Sequence, residues 1–261
     1  MSTTAIGTAR WRNFSPLPLS TGGEGRIRLG LRLIHGFPES RAKALVAARA
    51  DGAYRSVADV ARRGKVPHGL LARLASADAF GSLGLDRRSA LWKVLATREE
   101  LPLFAGLEDD DVAPVVPGLP TMSLSEQVSA DYHALGLSLK AHPIGLVRAD
   151  LDQLNVVSAA RLPELADKDA VRVAGLVLVR QRPPTANGTV FMTLEDETGL
   201  INLIIWARTW ERYRKIARQA VALVIEGKVE RADRVIHVCP SKIEDLSSAL
   251  RGIKSQSRDF R

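Results

Sequence analysis

Residues 171–206, VRVAGLVLVRQRPPTANGTVFMTLEDETGLINLIIW, constrain what this chain can fold into more than any other segment. The run 171–179 is apolar and rich in β-branched side chains. Pro183-Pro184 and Asn187-Gly188 interrupt it, 190–194 resumes it, and Glu197-Thr198-Gly199 turns the chain into 200–206. Short apolar runs separated by turn residues predict three successive strands. A helix is expected next over 208–217, where Trp210, Tyr213 and Ile216 recur at every third position. Strands follow over 221–230 and 235–238, joined by the charged turn Arg231-Ala232-Asp233-Arg234. Three strands, a helix and two strands is the element order of the oligonucleotide/oligosaccharide-binding (OB) barrel.

Alternation along the second strand places Val190, Met192 and Leu194 on one face and Phe191 and Thr193 on the other. With the first set inside a barrel, Phe191 points outward. The third strand similarly offers Asn202 and Trp206, and the loops offer Arg180, Arg182, Arg231 and Arg234. Aromatic rings rimmed by arginines suit a single strand, since stacking accepts any base while the cations follow the phosphates. Packing of Phe191 and Trp206 against a neighbouring domain is the competing reading.

Upstream the periodicity is helical, in short segments over 41–49, 57–63, 68–74 and 87–96, with Ser40, Ser56 and Asp86 placed to cap the helices that follow them. Ile34-His35-Gly36-Phe37-Pro38, leading into Arg41 and Lys43, is similar to the turn of a helix-hairpin-helix unit, in which backbone N–H groups at a helix start approach a DNA phosphate. Gly36 fills the first glycine position of such a turn. Pro38 takes the second and removes a donor, so a purely structural turn stands beside the DNA-contacting reading. Helix returns over 124–139. The expected organisation is α+β: a weakly structured leader over 1–25, a helix-hairpin-helix DNA-binding domain over 26–97, an acidic linker and helix over 98–165, an OB barrel over 166–246 and a frayed basic tail over 247–261.

Charge follows the same division. Residues 1–95 carry a net +10, residues 96–170 a net −8 and residues 171–261 a net +6, within an overall +8. Two basic blocks around an acidic middle suit two phosphate-facing modules and a connector, although basic surface is also a common solubility device. Cys239, the only cysteine, excludes a disulfide framework or a thiolate zinc cluster, and its apolar run makes it a core residue. No apolar run approaches the ~20 residues of a membrane helix, and the N-terminus has no signal-peptide core. A cytoplasmic protein with no membrane contact is expected.

Nothing in the sequence argues for catalysis. Asp150-Leu151-Asp152 lacks a strand to fix both carboxylates on one metal, Glu195-Asp196-Glu197 falls in a turn, and the histidines at 35, 68, 133, 142 and 237 show no ligand spacing. No catalytic or metal-binding residue is expected.

Four blocks in order carry a family resemblance: RLGLRLIHG (28–36), ADAF to DRR (77–88), ALGLSLKAHP (134–143) and VAG to Gly199 (173–199). Together they resemble the C-terminal third of bacterial C-family DNA polymerases, and LVLVRQRPPTANGTVFMTLEDETG resembles the error-prone, damage-inducible branch. The resemblance covers about residues 26–246. It implies a helix-hairpin-helix region gripping duplex DNA and a barrel near the single-stranded template. The palm aspartates of such a polymerase, and the Mg2+ they would hold, have no counterpart here, so the chain is expected to contain no cofactor and not to polymerise DNA alone. Glu100, Leu101, Leu103 and Phe104 stand where family members carry a sliding-clamp peptide, with glutamate in place of glutamine; a relic or linker anchor is the other reading. Implied partners are DNA, the remaining polymerase domains, the sliding clamp and translesion accessory proteins. A self-standing single-strand-binding or adaptor protein is the alternative function.

Overall fold

A computed structural model describes residues 29–96, 118–232, 235–250 and 258–260; the clamp-like peptide 100–104, most of the acidic connector and Arg234 lie outside them. From Leu31 onward the chain belongs to one body.

Four helices build its first part: α1 (Glu39–Ala47), α2 (Val57–Gly64), α3 (His68–Ser76) and α4 (Arg87–Ala96). None is long enough to persist alone in water, so packing must supply the stability. Phe37, Leu45, Val60, Leu71, Leu74, Phe80 and Val94 form that shared core. Ser56 caps α2 by accepting from the Asp59 N–H at 3.0 Å, and Asp86 accepts from the Ser89 N–H at 2.7 Å ahead of α4. Ser40 is not a cap. The helix starts earlier, because Pro38, with φ −68° and ψ 140°, sets an extended entry at the N-cap, which leaves Ser40 inside the first turn.

Residues 118–165, read from the sequence as linker and one helix, hold α5 (Leu124–Leu135), α6 (Arg148–Gln153) and turns of 3-10 helix. α5 opens with a capping box between Ser123 and Glu126 and ends at Gly136, whose φ of 77° closes it before the expected position 139. Val128, Tyr132, Ile144 and Leu151 share a core with Ala174, Leu176, Ala222 and Val224 of the sheet. Between Val128 and Tyr132, Asp131 fastens α5 to the helical part through a buried ion pair with Arg87.

The barrel strands are β1 (Ala170–Gln181), β2 (Val190–Asp196), β3 (Gly199–Ile205), β4 (Ala222–Ala232) and β5 (Val235–Asp245), with α7 (Ala207–Gln219) between β3 and β4. The pairing order β2-β3-β5-β4-β1 closes through β1–β2 contacts, giving the five-stranded OB barrel expected from the element order. Closure requires β1 to serve two partners: residues 170–176 pair with β4 and 176–181 with β2, with Leu178 the extra residue of a bulge. Ser241 is the extra residue of a second bulge, where Glu226 pairs with Lys242 and Gly227 with Pro240. Pro240 has no N–H to give a ladder and is tolerated there.

A Cβ on Gly227 would overlap the backbone carbonyl of Cys239. Gly227→Ala is therefore expected to destabilise the barrel by about 1–3 kcal/mol through overpacking, read as a lower urea midpoint at unchanged slope.

The tail is ordered where it is described. Ser247 Oγ accepts from the Val221 N–H at 2.9 Å, Leu250 is buried, and a sixth strand, β6 (Arg258–Phe260), pairs parallel with β1.

Candidate nucleic-acid interface

One-sided burial sorts the side chains of β2 and β3. Val190, Met192, Leu194, Ile201, Leu203 and Ile205 fill the barrel and are at most 1% exposed. Phe191 and Thr193 therefore face outward on β2, with Ile204 and Asn202 as their cross-strand partners on β3, and Asn202 stands in register with His237 of β5. Phe191 is 38% exposed, and Trp206, at the N-cap of α7, is 53% exposed. Both rings are thus available on the barrel, on and beside the β2–β3 surface through which OB folds take oligonucleotides. Thr193 Oγ1 and the Asn202 amide oxygen, 3.4 Å apart, add polar groups between strands.

The arginines divide differently. Arg180 is not a loop residue. It lies in β1, 8% exposed, and donates from Nε to the Ala217 carbonyl at 2.8 Å and from Nη2 to the Ala220 carbonyl at 2.5 Å. Those carbonyls belong to the last turn and C-cap of α7, where no helical N–H can reach them; a guanidinium also suits the negative end of the helix dipole. The expectation that Arg180 faces nucleic acid is corrected to a buried helix cap. Arg231 is also committed: Nη2 donates to the Pro163 and Leu165 carbonyls at 2.5 and 2.6 Å, tying β4 to the turn before β1. Arg182 is exposed in the 182–189 loop, its nearest carboxylate being Glu211 of α7 at 3.8 Å.

At the helical hairpin, Gly36 is exposed with φ 67°, a conformation glycine adopts without strain. Arg73 packs on it and donates from Nη1 to the His35 carbonyl at 2.8 Å, while the His35 N–H reaches the Ala134 carbonyl at 2.9 Å. The turn is thus seated on α3 and α5. Arg41 donates to the Lys65 carbonyl at 2.8 Å and Lys43 pairs with Glu39 at 2.7 Å. No side chain caps α1, yet Glu39 puts a negative charge in its first turn, opposing a phosphate there.

Cys239, expected in the core, is only half-buried. Its Sγ sits 2.8 Å from Glu230 Oε2, and burial first, then the neighbouring carboxylate, push the thiol up to about 11. Asp196 is the polar residue the sequence underrated. At 3% exposure its carboxylate accepts from the N–H and hydroxyl of Thr198, from the Gly199 N–H and from the Ala159 N–H at 2.7–3.0 Å. Arg148 of α6 reaches Glu197 at 2.5 Å and Asp196 at 3.4 Å. This turn therefore joins α6 to the barrel. Beside it, burial holds His142 below the usual imidazole range against the opposing pull of Glu195.

Asp150 and Asp152 are exposed on α6, with Asp152 3.9 Å from Arg148. Among the described residues no group of three or more His, Cys, Asp or Glu side chains could hold a metal ion. No described helix is long and apolar enough to cross a membrane.

The family model for a helix-hairpin-helix motif matches residues 7–90, beginning inside the 1–25 segment expected to be unmatched, and the model for an OB-fold nucleic acid binding domain matches residues 171–246. Across both parts the chain is 45% identical to an error-prone DNA polymerase of Rhodopirellula baltica over 240 residues, 90% of this chain and 21% of the relative. The chain is homologous to one segment of the error-prone DNA polymerases. Error-prone DNA polymerase 1 of Rhizobium meliloti gives the same picture, 44% identical over 241 residues, 90% of this chain and 21% of that one. The chain thus spans about a fifth of the length of the curated relatives it matches. Among solved structures, asparaginyl-tRNA synthetase from Pyrococcus horikoshii aligns over 35% of this chain and 23% of its own at 24% identity, with a TM-score of 0.31, a likeness too slight to bear on function.

Proposed function

We propose that this chain is the DNA-handling portion of an error-prone polymerase serving lesion bypass and repair. In this reading the barrel holds the single-stranded template, the hairpin region of 26–97 contacts duplex, and nucleotidyl transfer depends on metal-holding carboxylates outside this chain. The observation that carries it is the pair of exposed rings, Phe191 and Trp206, on the barrel of a chain related over 90% of its length to error-prone polymerases. Rings on this face suit a strand of any sequence, because every base has a face to stack on them. Partnership with the sliding clamp, with other polymerase domains and with translesion accessory proteins belongs to the same proposal.

The test pairs two assays on the intact chain. Fluorescence anisotropy with labelled oligothymidine at low ionic strength is expected to show saturable binding, weakened by salt. Primer extension with Mg2+ and all four deoxynucleotides is expected to show no synthesis. Indifference to both single-stranded and primed DNA would remove the binding claim; metal-dependent extension by this chain alone would remove the claim that the chemistry comes from elsewhere.

A further inference from the structure

α7 carries its charge on one side. Trp210 and Ala217 are buried, and Tyr213 and Ile216 pack on the barrel core. Opposite them, Arg208, Arg212, Lys215 and Arg218 are all exposed. Their spacing of four, three and three residues places them in one stripe along the helix. Glu211 is the only acidic residue of α7, and it is engaged by Arg182 at 3.8 Å and Arg214 at 3.7 Å. Among the described residues no carboxylate lies within ion-pair distance of the four stripe cations, and Arg212 lies over the Tyr213 ring at 5.5 Å. Glu211, three residues after Arg208 and four before Lys215, lies within the same stripe and offsets part of the repulsion among the four cations; an anionic partner would relieve the rest.

Position says which anion. α7 begins immediately after Trp206, its N-cap. The 182–189 loop lies along its first turn: a Cβ on Gly188 would stand 3.3 Å from Ala207 Cβ, and Arg182 reaches Glu211. The exposed ring, the loop arginine and the basic stripe therefore form a continuous surface.

We infer that the outward face of α7 is a phosphate rail for a single strand leaving the aromatic platform, formed by Arg208, Arg212, Lys215 and Arg218 with Arg182 at its head. This rests on the strand-binding reading above and adds a second surface to the β2–β3 face. From residue 208 to 218 the stripe runs about 15 Å along the helix, enough to follow several successive phosphates of one strand. The rail reads no sequence, because it meets only the sugar-phosphate backbone.

The test measures affinity against salt for an oligothymidine of about 5 nucleotides, near the lower limit of an OB barrel's site, and for one of about 20. Neutralising the stripe (R208Q/R212Q/K215Q/R218Q) is expected to flatten the log–log salt slope on the long strand by about 3, at about 0.7 per lost contact, while the short strand binds nearly as before. Circular dichroism checks that the variant folds. If it does not, the milder R208Q/K215Q decides, with an expected flattening of about 1.4. An unchanged slope on the long strand, with the unmodified chain binding well, overturns the rail and leaves the platform standing. Unmodified chain that ignores both strands overturns the strand-binding reading and the rail with it. Tight binding of polyglutamate through the stripe, without any change in strand slope, assigns the face to an acidic protein and also overturns the rail.

Discussion

Arg180→Met is expected to destabilise the barrel by about 2–4 kcal/mol, because it leaves two buried carbonyls, those of Ala217 and Ala220, without donors. For a protein of this size that corresponds to a fall in Tm of roughly 4–16 °C. Met fills similar volume with no donor, so the loss reports hydrogen bonding more than packing. Arg180→Lys should recover only part of it, since one ammonium lacks the planar fork that serves both carbonyls. The same pair of variants separates a cap from a DNA contact. With Arg180 as a cap, Arg180→Met, measured below its melting transition, binds a strand with the original salt slope, and Arg180→Lys, which keeps the charge, serves as the control; a slope reduced by about 0.7 in Arg180→Met, one lost phosphate contact, together with an unchanged melting curve, would return Arg180 to the interface.

Arg180 also shows where the sequence stops being legible. Its residue type and the following Pro183-Pro184 turn make it look like a loop cation. What buries it is the return of the chain 37 residues later, which brings the end of α7 against the end of β1. Arg231, although exposed, likewise reaches carbonyls 66 and 68 residues away, and Asp196, a turn residue as its position suggests, accepts from Thr198 and Gly199 of that turn but also from Ala159, 37 residues away. Strand-level features fared better because they are local. One-sided burial imposes a period of two, so the inward positions 190, 192 and 194 and the outward Phe191 follow from pattern alone. Ser56 and Asp86 were legible as caps because a cap bonds to N–H groups three residues away.

Intermediate cases depend on docking. The six residues of α6 carry little periodicity, and their place is set by packing of Leu151 among β1 and β4 residues. The α7 stripe is present in the sequence as four cations on the side away from Trp210. Only the seating of that helix on the barrel decides that this side stays open. At the hairpin, Pro38 announces a missing donor, but the seating of the turn by Arg73 and α5 is a long-range fact. These observations shift weight toward the barrel: its rings are exposed, whereas Arg41 and Lys43 of the hairpin are engaged within the protein.

On the barrel, Phe191→Ala combined with Trp206→Ala is expected to weaken single-strand binding roughly thirty-fold or more, since each stacked base is worth about 1–3 kcal/mol by alanine substitution. Neither change removes a charge, so the salt slope should stay where it is, the opposite signature from neutralising α7. Stability should fall by less than about 1 kcal/mol, because both rings are already substantially exposed and neither fills the barrel core. Phe191→Tyr with Trp206→Phe keeps a π-face at each position and should restore most of the affinity. If the double alanine variant binds oligothymidine as tightly as the unmodified chain, the bases do not stack there. The rings would then be left as the covered face of a contact with another protein segment, and strand binding, if retained, would rest on the cations of α7 and the 182–189 loop alone.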